Sequence, residues 1–351
     1  MMDHDLLLKD FKPRSALVTK DSTPARARFP VVDAHNHLGY WDPYIFQDGG
    51  DPGWTVKDVP ATVAMMDELN IRCVIDLDGG WGDQLQRNLK RYKAPFPDRF
   101  CVFANVDWSQ ADDPNFGKKW AKELEKSVNE GAQGLKVYKS LGLVYRDKNG
   151  KLISPDDPRL DPIWAKAGDL RIPVLIHSSD PVAFFWPLDS TNERWDELHV
   201  HPDWHYGSDY PSFISLIEAQ LRVVARHPDT TFISAHVLSY AENLNYVASA
   251  LDKYPNLNVD ISERIGELGR QPYATRRFIM KYANRILFGT DIPPLKSAYL
   301  VYFRCLETDD EYFSYRRNQG RYSVYGVYLP DDVLRKIYAE NACRLIPGLK
   351  I

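Results

Sequence analysis

Residues 31–37 read Val31-Val32-Asp33-Ala34-His35-Asn36-His37. A β-branched, apolar start that runs into histidines describes a strand buried at one end and opening onto a site at the other. Residues two apart on a strand face the same side, so His35 and His37 can both reach one ion. Asp33 lies deeper on that face and reads as structural, or as support for a ligand, rather than as a ligand itself. A lone HxH pair is common and decides little, so its weight depends on the rest of the chain.

Working outward, short β-branched runs recur at 72–77, 101–106, 134–138, 173–177, 231–236, 257–261 and 285–291. Amphipathic stretches separate them at 57–70, 82–92, 118–129, 161–170, 213–226, 240–253 and 272–283, with another at 331–345 after the last run. Strands alternating with helices predict a parallel sheet. Eight repeats of about 37 residues predict an α/β fold closed as a (β/α)8 TIM barrel. An open doubly wound sheet would carry a glycine-rich turn after its first strand, and none follows residue 35. The expected organisation is an amino-terminal arm over 1–28 and one barrel domain over 29–351. Two insertions fall after strands five and eight: a lid at about 183–212 and a rim segment at about 293–330, both rich in aromatic and charged residues.

Composition narrows the function classes. The 351 residues carry 44 Lys+Arg against 48 Asp+Glu, a net charge of −4, so no general field draws nucleic acid or anionic lipid. Apolar residues at 44% and charged residues at 26% are globular values. No run of about 18 apolar residues exists, so no membrane span is expected. Cys73, Cys101, Cys305 and Cys343 form no CxxC pair and read as thiols without a disulfide or zinc role. The amino terminus has too short an apolar stretch for a signal peptide, which favours the cytoplasm. Export stays open if the doubled Met replaced a leader.

Ionisable residues end several of the predicted strands: His35 and His37 on the first, Lys136 on the fourth, His177 on the fifth, His236 on the sixth and Asp291 on the eighth. Singly, each has an ordinary structural reading, such as Asp291 capping the next helix. Together they would meet at one point, because closure makes strands eight and one neighbours. Imidazoles with a carboxylate suit zinc or a similar divalent ion.

The order of these motifs resembles the amidohydrolase superfamily. The carriers are residues 31–37, Pro173-Val174-Leu175-Ile176-His177, Ser234-Ala235-His236, Phe288-Gly289-Thr290-Asp291, and residues 337–345, with Asn341 tying the last helix to the barrel. The branch it is most similar to is the amidohydrolase-2 group, which includes amino-carboxymuconate-semialdehyde decarboxylase and related lactonases; the resemblance spans about 29–348. It implies His35, His37, His177 and Asp291 as ligands of one divalent ion, Zn2+ or alternatively Mn2+, and His236 as a catalytic residue beside Asp291. Binuclear relatives bridge two ions through a carboxylated lysine on strand four. Lys136 has that reading, a substrate-facing one and a packing one, and one ion rather than two is expected.

The implied activity is hydrolysis of an amide, ester or lactone of a small molecule by metal-activated water. The alternative is non-oxidative decarboxylation of an unsaturated or aromatic acid. A third reading, of another class, is an inactive barrel kept as a binding protein. An acidic substrate needs cationic partners, for which Lys136, Arg264 and Arg194 are candidates, with Trp186 as an aromatic wall. Asp260 is the structural partner of Arg264 in the bland reading. His199, His201 and His205 in the lid fit no ligand spacing and read as packing residues. Relatives are often dimers, so a homodimer is also implied.

Overall fold

The computed structural model describes residues 6–41, 53–315 and 319–351. Its central strands are β1 (Val31–Asn36), β2 (Ile71–Asp76), β3 (Phe100–Val102), β4 (Leu135–Val137), β5 (Val174–Ile176), β6 (Phe232–Ser234), β7 (Leu257–Asp260) and β8 (Ile286–Leu287). One parallel ladder joins β1 to β3 and another joins β4 to β8. Two seams close the ring. At the first, Ala104 bridges to Leu135, and the Lys136 N–H donates to the Ala104 carbonyl at 2.8 Å. At the second, the Ala34 N–H donates to Phe288 O at 3.0 Å and the Asp291 N–H to His35 O at 2.8 Å. The predicted (β/α)8 barrel is therefore present, with strands shorter than the apolar runs because their ends splay into loops.

Alternation fixes which residues fill the lumen. Val32, Ala34, Ile75, Phe103, Leu175 and Leu287 pack there, while Val31, Val74, Leu135 and Val174 join the layer beneath the helices. The register between β1 and β2 shifts between Asp33 and Asn36. Asp33 does not share the face of His35 as simple alternation predicts: its carboxylate accepts from Thr290 Oγ1 at 2.7 Å and Tyr299 OH at 2.8 Å, tying β1 to the chain after β8. Gly289 is required by this seam, since a Cβ there would stand 2.8 Å from His35 Cβ.

The surrounding helices are α1 (Val59–Leu69), α2 (Gly82–Asn88), α3 (Phe116–Glu130), α4 (Asp161–Asp169), α5 (Phe213–Arg226), α6 (Leu244–Lys253), α7 (Pro272–Lys281) and α8 (Lys296–Glu307). Local chemistry sets their ends. Asp58 caps α1 by accepting from Ala61 N, and Asn70 stops it in the left-handed region at φ 64°. The α8 helix falls inside the segment expected to be a rim insertion. Its sequence is apolar and aromatic on most sides and shows no clean stripe, which is why periodicity missed it. Instead it buttresses the barrel through Tyr299 and Tyr302, both fully buried. After it, helical segments run from Asp331–Arg335 to Asn341–Leu345. The Asn341 amide donates to Ala283 O at 2.7 Å and Ile286 O at 2.8 Å, tying this last helix to β8.

Residues 20–28 lie along the end of α8, with Ser22 N donating to Asp310 at 2.7 Å and Arg28 N to Glu307 at 3.1 Å. The four cysteines are free thiols. Among the described residues no helix is long and apolar enough to cross a membrane.

Candidate metal centre

The seam between β8 and β1 brings the ionisable strand ends together. His35 is fully buried, and its Nε2 lies 3.6 Å from Asp291 Oδ1. His37 Nε2 lies 3.1 Å from the same oxygen. His35, His37 and Asp291 each offer a ligand atom within 4.8 Å of the others. Two imidazole nitrogens and a carboxylate oxygen converging in this way fit a borderline divalent ion, so the donor set present suits the expected metal.

The surroundings explain how these side chains are held. Asp78, just beyond β2, accepts from His37 Nδ1 at 2.6 Å and from the Tyr138 hydroxyl. Asp260, the last residue of β7, lies 2.9 Å from His35 Nδ1 through Oδ2. Sequence reasoning missed both aspartates in these roles. It offered Asp260 as a partner of Arg264, whereas the lumen-facing position puts it on His35. A carboxylate ending a lumen strand was the available signal, and Asp76-Leu77-Asp78 also displayed it.

His236 sits beside this pair, with Nε2 3.5 Å from Asp291 Oδ2. Its backbone is in the left-handed region at φ 59°, and Val237, Leu238 and Ser239 follow at 57°, 60° and 52°. Asp291 is left-handed too, at 56°. Such a conformation costs roughly 1–2 kcal/mol per non-glycine residue, and more for a branched one like Val237, so the surrounding structure must enforce it.

The charges are strongly coupled. Burial disfavours a charged His37, yet Asp78 and Asp291 outweigh it and lift the ring to about 10. Burial, with Arg264 and His35 nearby, pushes His236 down to about 3, so it is neutral. Burial raises the Asp291 carboxyl, but His35 and His37 overcome that and hold it well below the usual range. Lys136 is buried with Nζ 3.1 Å from His35 Nε2, and burial takes it down to about 8 against the pull of Asp291 and Asp260.

His177 stands one step away. Its ring meets His236 edge-on at 4.3 Å between centroids, and its Nε2 lies 3.1 Å from Ser179 O. It therefore adjoins the cluster through His236 rather than through Asp291.

A cavity of about 430 Å³ opens over these groups, lined by His177, His236 and Asp291 and by residues of the long segment after β5. Arg264 lines it while 4% exposed; its Nη1 donates to Glu263 O at 2.8 Å and its Nε has no hydrogen-bond partner. Arg194 also lines it, but its guanidinium pairs with Glu197 at 2.8 Å and with Glu267, so both Nη atoms are engaged within the protein. Trp186 does not line it: it follows the short turn Val182–Phe185 and is 46% exposed. Trp204 takes that place, stacked on His201 at 4.0 Å and facing Phe184. His199 and His205 bond the carbonyls of Trp195 and Trp186. A larger hollow of about 720 Å³, near Trp54 and Phe96, holds none of the cluster's residues.

A family model described as amidohydrolase matches residues 82–348. The chain belongs to the amidohydrolase-2 family. The matched span includes His177, His236 and Asp291 and begins after His35 and His37. No curated protein matches this chain in sequence. Among solved structures it is similar to 2,6-dihydroxybenzoate decarboxylase complexed with 2,6-dihydroxybenzoate, at 19% identity and TM-score 0.58, over 90% of this chain and 99% of that one. It is also similar to a dihydroxybenzoic acid decarboxylase from Polaromonas with bound manganese and the inhibitor 2-nitroresorcinol, at 17% identity and TM-score 0.57, over 90% and 96%. A probable 2-pyrone-4,6-dicarboxylic acid hydrolase from Acinetobacter baumannii with citric acid bound aligns at 10% identity and TM-score 0.54, over 90% and 99%. At these identities the likeness shows the shared barrel fold.

Proposed function

We propose that this amidohydrolase-family chain is a metal-dependent, non-oxidative decarboxylase of a small aromatic or unsaturated acid. The carrying observation is Arg264: a buried guanidinium, its Nε without a hydrogen-bond partner, on a residue that lines a cavity also holding His236 and Asp291. Such a group suits a substrate carboxylate, since paired N–H donors match two oxygens. Phe184 and Trp204 give the same cavity a flat aromatic side suited to a ring. The names of the decarboxylases that share the fold point the same way.

His35, His37 and Asp291, with His177 alongside, would hold the ion. When bound, a divalent ion supplies charge that polarises a substrate oxygen or a water. The chain's own groups do the rest. Arg264 orients the acid, and the 183–212 segment acts as a lid that limits water. Loss of carbon dioxide leaves one carbon in need of a proton. His236, neutral and with Nε2 3.5 Å from Asp291 Oδ2, is placed to accept a proton and hand it on.

Hydrolysis of an ester, amide or lactone is the second reading. It is favoured by the same His236–Asp291 pair, which suits activation of water, and by the hydrolase among the fold's relatives. The deciding experiment incubates the metal-loaded protein with hydroxybenzoates and unsaturated dicarboxylic acids, followed by carbon dioxide release, and with lactones and esters, followed by acid release. Carbon dioxide without acid release supports the proposal. Acid release from the second panel alone replaces it with the hydrolase.

A further inference from the structure

One fully buried carboxylate touches both histidines that the proposed reaction needs in fixed protonation patterns. Asp260 Oδ2 lies 2.9 Å from His35 Nδ1. Asp260 Oδ1 accepts the backbone N–H of His236 at 3.0 Å, the backbone N–H of Ser262 at 3.0 Å, and the Ser262 hydroxyl. His236 Nδ1 in turn lies 2.8 Å from the Ser262 carbonyl. The Ser262 hydroxyl sits between the rings, 2.9 Å from His35 Nδ1 and 3.0 Å from His236 Nδ1.

Hydrogen-bond chemistry fixes the protons. An ionised carboxylate and a carbonyl only accept, so the Nδ1 of each ring must carry the hydrogen. In a neutral ring Nε2 is then the lone pair. The Lys136 ammonium 3.1 Å from His35 Nε2 agrees, because it only donates. Both Nε2 atoms lie near Asp291, at 3.6 Å from His35 and 3.5 Å from His236. These bonds also account for the close approach of His35, His236 and Asp260, which offer ligand atoms within 4.8 Å of one another without needing an ion between them.

We propose that Asp260 is the positioning residue of the site: with the Ser262 carbonyl it sets the tautomer of His35 and His236 together, and it pins the left-handed turn 236–239 through the His236 N–H. This rests on the reading of His35 as a metal ligand and His236 as the proton carrier. It extends that reading by making one side chain responsible for both. In an Asp260→Asn variant the amide oxygen can keep the two backbone N–H donors, which turns the NH2 toward His35 Nδ1. That geometry favours the opposite His35 tautomer, with the hydrogen on the nitrogen needed for the metal.

The test uses the full chain with 15N-labelled histidine, metal-free, read by long-range 15N–1H spectra of the imidazoles, with Mn2+ affinity measured by calorimetry. In the wild type, His35 and His236 should both show Nδ1–H. Asp260→Asn should move His35 to Nε2–H and weaken Mn2+ binding about 10–100-fold. Ser262→Ala, which keeps the Asp260 carboxylate and the backbone carbonyl, should leave both tautomers and bind Mn2+ within about threefold. A wild-type ring with no hydrogen on Nδ1 overturns the inference, and this holds even if Asp260→Asn does not fold. Equal loss of Mn2+ in the two variants also overturns it, because a packing defect would then be the cause. If the wild type takes up neither Mn2+ nor Zn2+, the metal reading itself fails, and the spectra still judge the tautomers.

Discussion

His37 and His236 are the same residue type a few ångströms apart in role, yet their surroundings drive them in opposite directions. Two carboxylates hold His37 protonated in the metal-free protein, at about 10. A metal ligand must be neutral, so an ion arriving at neutral pH displaces the proton on Nε2 while Asp78 keeps the one on Nδ1. Uptake should therefore release close to one proton per ion. Affinity should rise with pH by up to about tenfold per unit until about pH 10 is approached. Calorimetry in two buffers of different ionisation enthalpy measures the release directly, and a pH-independent affinity would mean that His37 does not ligate. His236 lacks such a carboxylate partner on Nδ1 and is neutral. Replacing it with Asn should leave metal content near that of the wild type and lower kcat by about 100-fold or more; unchanged turnover would remove it from the mechanism. The five ionisable residues at strand ends 35, 37, 177, 236 and 291 were readable in the sequence, since each ends an apolar run. Asp78 and Asp260 were not, because nothing in a one-dimensional pattern says which buried aspartate turns toward which imidazole.

Elements place these residues through their seams more than through their lengths. The β8 strand has only Ile286–Leu287 in regular pairing, and the functional part is the turn that follows, Phe288-Gly289-Thr290-Asp291. Its backbone returns to β1 through Asp291 N to His35 O, a contact that the absence of a side chain at Gly289 permits. Gly289→Ala would put a methyl group 2.8 Å from His35 Cβ. Both neighbours are tied, so the seam must widen. The expected result is a protein with near-wild-type circular dichroism and Mn2+ affinity reduced at least about tenfold, since ligand geometry tolerates small displacements only. Wild-type affinity in this variant would show that the seam does not set the site. The periodicity predicted the strands well, and it failed at α8. There a helix packed on one side by the barrel and on the other by residues 325–329 buries too much of its circumference to show a stripe.

For the molecule as a whole, the eightfold alternation was legible because a closed barrel needs every strand buried on both faces, which writes a short apolar run each time. Residues 183–212 stood out in the sequence only by the long spacing between the fifth and sixth strands. Which of their aromatics face the cavity was not legible there: Trp204 does and Trp186 does not, a difference set by the turns Val182–Phe185 and Pro202–Trp204. The last helix is tied to the start of β8 by Asn341, whose amide serves two carbonyls. Asn341→Ala should destabilise the fold by about 1–3 kcal/mol, read as a lower midpoint in denaturant, while leaving metal affinity unchanged. A fall in affinity without a fall in stability would mean that this helix acts on the site itself.

The proposed chemistry needs the β1 histidines and the aspartate after β8 to converge on a single ion. Crystals of the full chain soaked in Mn2+ and measured at the manganese edge test it most directly. The prediction is one strong anomalous peak within about 2.0–2.3 Å of His35 Nε2, His37 Nε2 and an Asp291 oxygen. A map with no peak between these three, or with its strongest peak elsewhere in the barrel, would contradict it.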